Sequence, residues 1–287
     1  MSNVILKTQP LGRLWPTVDP FLFCAHHNDA YPASNGELGV QAVDLDEREI
    51  GSDFSGKDGF NMYHGEVVPG FPGHPHRGFE TVTLVRDGLI DHSDSLGTAA
   101  RFGGGDVQWL TAGKGIMHSE MFPLLNHDKP NPLELFQSWL NLPADQKMAA
   151  PHFTMLWNER IPRLVHIDDA GKQTTVTVIA GALAGADQPL PPPPESWAAK
   201  PEHDLAIWTL TLEPGARWTM PAAHNAATRR MLYWFVGGKL QVAGQQLDSH
   251  EAIELRAGEA VELFNNGDDA VECLMLQGVP IGQPVAQ

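Results

Sequence analysis

Two cysteines in 287 residues, Cys24 and Cys273, are too few for a disulfide framework, and their spacing matches no zinc ribbon. A reducing, cytoplasmic home is the simplest inference. Basic residues are also scarce: 19 Lys and Arg stand against 35 Asp and Glu, for a net charge of −16. That balance argues for solubility and against nonspecific binding to nucleic acid or an anionic membrane. The opening residues, MSNVILKTQPLGRLWP, lack the basic-then-apolar run of a signal peptide, and no window approaches the roughly eighteen apolar residues of a membrane span. Residues 28–70 show no long helical period. What the chain has is 28 glycines and 23 prolines, the punctuation of a turn-rich all-β protein.

Apolar runs of strand length follow one another between these turns. Residues 20–25 read as a buried strand that ends in the polar His26-His27-Asn28-Asp29, and residues 28–70 read as loops and short strands. Residues 79–86 form a strand that closes on Asp87-Gly88, a strong hairpin signal, with residues 91–97 as its exposed continuation. Residues 107–111 and 133–142 are further strands, 145–148 a short helical or turn segment, and 151–172 a connection. A second β-rich half begins at Thr174. It includes a Pro-rich stretch at 188–194, read as a stiff loop rather than a polyproline ligand, and a hairpin turning at Gly237-Gly238. A strand, a Gly-Asp or Gly-Glu turn (Gly105-Asp106, Gly258-Glu259) and another apolar strand occur in both halves, which suggests two β-barrels of one kind in tandem.

The chemistry concentrates in His74-Pro75-His76 and His118-Ser119-Glu120. Residues i and i+2 of a strand point to one face, so each pair can aim both side chains into one cavity. Three imidazoles and a carboxylate suit a divalent ion such as iron, nickel, copper or manganese and leave octahedral positions for other ligands. Adjacent His26 and His27 face opposite ways on a strand and are poor candidates for one ion. In the second half His224 has neither an HxH pattern nor a partner glutamate, which predicts a metal-free barrel.

The stretches GFPGHPHRGFETVT, GGGDVQWLTAGKGIMHSEM and SWLNLPADQKMAAPHF resemble the pirin family at its usual spacings, and VTVIAGALAG and LMLQGVPIGQPV resemble its second domain. The likeness is strong over residues 70–153 and fainter after 182. It implies two cupin (jelly-roll-like) barrels packed face to face: a metal-binding domain at 1–150 and a metal-free one at 151–287. It implies one divalent ion, iron(II) first, with nickel, copper, manganese, cobalt or zinc as alternatives, held by His74, His76, His118 and Glu120. Glu80 falls where other cupins place a liganding glutamate but is not a ligand in pirins, so it is expected as a supporting residue beside the ion.

The resemblance also implies a quercetin 2,3-dioxygenase type of activity on a small aromatic substrate and dioxygen. Glu120 would be the catalytic base for the flavonol 3-hydroxyl. Phe79, Trp109, Met117 and Phe122 are then candidate apolar walls, and Arg77 a candidate for steering an anionic substrate. The alternative it implies is a redox-sensing regulator that binds a protein partner, a transcription factor or a metabolic enzyme, according to the state of its iron. Neither reading involves direct nucleic-acid contact or a membrane.

Overall fold

The computed structural model describes residues 4–247 and 249–285. Strands dominate, with only short 3₁₀ turns between them, and no helix among the described residues is long and apolar enough to cross a membrane. The chain divides into two compact units. In chain order the strands are β1 (Ile5–Pro10), β2 (Phe21–Tyr31), β3 (Gly70–His76), β4 (Phe79–Asp87), β5 (Leu89–Asp94), β6 (Ala99–Gly103), β7 (Val107–Thr111), β8 (Ile116–Met121), β9 (Asn131–Asn141) and β10 (His152–Leu156). They continue as β11 (Arg163–Ile167), β12 (Gln173–Ala180), β13 (Ala206–Leu212), β14 (Arg217–Met220), β15 (Arg229–Val236), β16 (Leu240–Val242), β17 (Gln245–Leu247), β18 (Glu251–Leu255), β19 (Val261–Phe264) and β20 (Val271–Gly278).

The N-terminal unit is built from two antiparallel sheets, ordered β10-β7-β4-β9-β2 and β3-β8-β5-β6. The C-terminal unit repeats that plan as β1-β18-β15-β20-β13, extended by β12 and β11, and β14-β19-β16-β17. The tandem repeat read from the turns is therefore a repeat of topology. The place that β10 fills in one unit is filled in the other by β1, which pairs antiparallel with β18. For that reason residues 4–24 group with the C-terminal unit, as do 139–143, so the division differs from the one expected at 150/151. Leu11 donates to the His250 carbonyl, and Trp15 stacks on Tyr233 at 5.1 Å, which keeps this N-terminal segment in place.

Several sequence expectations change here. Gly88 ends no hairpin: β4 and β5 lie in different sheets, and the Asp-Gly turn carries the chain from one to the other. Gly237 does the same between β15 and β16. Residues 151–172 are more than a connection, since they hold β10 and β11. The strand from Phe21 continues through His26 and His27 to Tyr31. Residues 28–70 are rich in loops as expected, and their middle is organised on Arg48. Its buried guanidinium lies over Phe60, pairs with Asp53 at 2.8 Å and donates to the Phe60 and Lys57 carbonyls.

Candidate metal centre

β3 and β8 are neighbouring antiparallel strands with His74 directly opposite His118. β3 is an edge strand, which is why Pro72 and Pro75 can stand in it without removing a donor from a central ladder. Alternation then sends His74 and His76 to one face, with His118 and Glu120 on the facing strand. The Nε2 atoms of His74 and His76 are 3.2 Å apart, and those of His118 and His74 are 3.0 Å apart. His74, His76 and His118 thus form a cluster able to hold a metal ion.

The chemical state of the cluster suits that role. The Pro72 carbonyl accepts from His74 Nδ1 at 2.8 Å, which leaves the lone pair on Nε2. Burial, with added repulsion from the other imidazoles, holds His76 and His118 at about 3, so both rings stay neutral well below pH 7. Glu120 is buried beside them. Its Oε2 stands 3.9 Å from His118 Nε2 and accepts from Gln137 Nε2 at 3.0 Å, while its Oε1 is buried with no partner. A buried carboxylate oxygen without a donor fits a cation. His118 Nδ1 is also without a partner, a departure from the usual outer hydrogen bond of a metal-bound imidazole.

Among the other expected residues, the site gathers some and leaves others out. Phe79 is buried, and its ring lies 5.0 Å from His76, so it walls the cluster. Phe122 is one ring further away: it packs on Phe71, which in turn reaches His74. Met117 is 48% exposed on the face of β8 opposite His118 and is not a wall. Arg77 is exposed, with Nη2 3.7 Å from Met148 Sδ.

Glu80 and Trp109 are corrected by strand phase. Thr83 Oγ1 accepts from the same Gln137 amide that reaches Glu120, so Thr83 faces the cluster. Glu80 is three residues away on β4 and faces the opposite side, where it accepts from Thr111 at 2.6 Å. Trp109 pairs with Val82 on that same side. His26 and His27 bond to Glu134 and Tyr63 and belong to no metal cluster among the described residues.

Three neighbours escaped the sequence reading. Gln137 is one. The other two are His92 and Asp94 on β5, opposite Glu120 and His118 in register, where an exposed strand was expected. Both side chains are fully buried, with His92 Nε2 3.0 Å from Asp94 Oδ2 and Nδ1 3.0 Å from Gln108 Nε2. The His92 ring lies 5.3 Å from that of His118. Their i, i+2 spacing repeats that of His74/His76 and His118/Glu120 and is the signal that could have found them.

The family model for pirin matches residues 7–140. A Pseudomonas aeruginosa protein, provisionally named a quercetin 2,3-dioxygenase, is 35% identical over 215 residues, or 74% of this chain and 68% of that one. This chain belongs to the pirin family. Mouse pirin is 31% identical over 233 residues, covering 79% and 73% of the two chains. Among solved structures, quercetin 2,3-dioxygenase from Acinetobacter baumannii matches with a TM-score of 0.70 at 24% identity, over 99% of this chain and 89% of that one. The bacterial pirin YhhW from Escherichia coli, in complex with nickel(II), matches at 0.54 and 17%, over 97% and 96%. These neighbours show the fold, the cupin architecture of pirins.

In the C-terminal unit of this pirin, β14 and β19 take the places of β3 and β8. There Trp218 and Met220 stand opposite Leu263 and Val261, all four buried in one apolar cluster. Apolar packing occupies the positions that hold imidazoles in the first unit.

Proposed function

We propose that this pirin is a metal-dependent dioxygenase of the quercetin 2,3-dioxygenase type, acting on a hydroxylated aromatic substrate such as a flavonol. His74, His76, His118 and Glu120 would hold one divalent ion, iron(II) first, with nickel(II), the ion named for the Escherichia coli pirin, as the leading alternative. A bound divalent ion supplies Lewis acidity, lowering the pKa of an oxygen ligand such as a substrate hydroxyl.

The observation that carries the reading is the state of Glu120. Gln137 pins Oε2, while Oε1 is buried without a donor, so the carboxylate has one constrained and one available oxygen. A carboxylate held in this way can take a proton from a hydroxyl at the cluster and return it later. The neutral rings of His76 and His118 do not compete for that proton above about pH 3. Phe79 stands buried beside His76, an apolar side chain at the edge of the cluster. The name given to the Pseudomonas aeruginosa relative adds support for this reaction class.

The test is aerobic quercetin turnover by protein of measured iron content, with His118→Ala beside it. Metal-dependent loss of quercetin with oxygen uptake, absent from the variant, is the expected result. Fully loaded protein without turnover on any flavonol would overturn the enzymatic reading and favour metal-dependent binding of a protein partner.

A further inference from the structure

The C-terminal unit contains a cavity of about 380 Å³ at one end of its barrel. Its walls come from the end of β12, the start of β13, the segment after β14, and the Pro-rich insert. Pro189, Leu190, Pro191, Leu205, Trp208 and Pro221 make it largely apolar. Just beyond the insert, Trp197 donates to the Val279 carbonyl and stacks on His203 at 3.3 Å.

Arg230 also lines this cavity. Only 1% of its surface is exposed, and Nη1 is buried without any hydrogen-bond partner. Its guanidinium is held from behind by Gln277, which stands opposite it in the β15–β20 register and accepts from Nε at 2.8 Å. The Gln277 amide is oriented in turn by the Asp204 carbonyl at 3.2 Å. Asp204 is the nearest candidate counter-ion, but it is otherwise engaged. Its Oδ2 accepts from the His224 and Asn225 amides and from Thr228 Oγ1, at 2.9, 3.0 and 2.7 Å. No ion pair joins it to Arg230 among the described residues.

A buried cation with an unmet donor is costly, because its desolvation is not compensated by hydrogen bonds. We propose that this cavity is a second ligand site, separate from the metal cluster, that binds a small organic monocarboxylate through Arg230. A planar guanidinium matches a carboxylate fork to fork, and the proline and leucine walls accept the apolar body of the acid. A dianion such as phosphate is disfavoured, since the Asp204 carboxylate forms part of the same wall and the remaining surface is apolar. Burial brings the Arg230 guanidinium down to about 10, which still leaves it charged at neutral pH.

The experiment is calorimetric titration of the full chain with acetate, benzoate, phenylacetate and hexanoate, with phenylacetamide and inorganic phosphate as comparisons. Saturable binding of at least one acid with an apolar body is expected, unchanged in His118→Ala, with phenylacetamide at least tenfold weaker than phenylacetate. Arg230→Gln should weaken binding at least tenfold. Because Arg230 is buried, its replacement also perturbs the core, so Ala222→Trp is placed beside it. Ala222 is an exposed lining residue, and a bulky ring there should block the cavity while leaving the core intact. Absence of binding by every acid, undiminished binding in Ala222→Trp, or phosphate binding more tightly than all four acids would each overturn the proposal.

Discussion

The Gln137 amide donates to Glu120 Oε2 at 3.0 Å and to Thr83 Oγ1 at 3.3 Å, tying β9 to β8 and β4 beside the histidine cluster. It fixes the rotation of the Glu120 carboxylate beside the imidazoles. Gln137→Leu keeps the volume and removes the donor. The expected outcome is turnover lowered about 10- to 100-fold at equal metal content, the usual cost of losing an outer hydrogen bond at a metal site. Turnover equal to the parent's, at matched metal per chain, would deny Gln137 this positioning role.

Removing a ligand should act on the ion and leave the fold nearly unchanged. The aromatic and aliphatic cluster around Tyr31, Met62, Ile90, Phe102 and Leu135 packs without His76 or Glu120. His76→Ala and Glu120→Ala are therefore expected to bind metal at least about tenfold more weakly, with unchanged circular dichroism. Elemental analysis of the purified variants is the check, and full metal occupancy in both would sink the ligand assignment.

The grouping of His74, His76 and His118 was legible because a strand period of two makes an i, i+2 pair a statement about one face. The surrounding residues were not, for a physical reason. Every residue of β7, and Phe79 through Val85 of β4, is buried, so hydrophobicity carries no record of which side faces the imidazoles. Glu80 and Trp109 were misplaced by that lost phase. His92 and Asp94 looked like a polar exposed strand because the partners that bury them lie on β7 and β8. The same limit applies to the unit boundary, since the pairing of β1 with β18 joins residues about as far apart in the chain as any contact here.

Acid should loosen the loop-rich segment before neutral conditions do. Burial pushes the Asp53 carboxyl up, but hydrogen bonds from Ser55, the Met62 amide and Arg48 outweigh it and hold it at about 2, below its ordinary 3.8. A depressed carboxylate contributes stability above its unfolded value, and that contribution disappears as pH falls from about 4 through about 2. Its size is on the order of 2 kcal/mol. Denaturant midpoints measured across that window should fall more steeply for the parent than for Asp53→Asn. At neutral pH, Arg48→Met leaves a buried carboxylate unpaired and should cost about 3–5 kcal/mol.

The two sheet-crossing glycines give the sharpest test of the repeated topology. Gly88 has φ of +76°, and a Cβ there would stand 2.7 Å from the Pro132 carbonyl oxygen and 3.1 Å from Leu133 Cα. Gly237 has φ of +100°, and its Cβ would stand 2.7 Å from the Ala270 carbonyl oxygen and 3.0 Å from Val271 Cα. In each unit the turn passes against the start of the strand, β9 or β20, that neighbours the one it leaves. Leu133 Cδ1 and Val271 Cγ2 also lie 2.8 Å away, but the nearest atom in each case is a backbone carbonyl oxygen, so moving those side chains does not clear the site. Alanine at either position should cost roughly 2–4 kcal/mol from the left-handed backbone and the overlap together. Gly97, at φ of +86° with nothing within 4 Å, isolates the backbone term, and Gly97→Ala should cost only about 1 kcal/mol. Chemical denaturation of the three variants checks this, and equal losses at Gly97 and Gly88 would mean that the close approach to β9 contributes nothing.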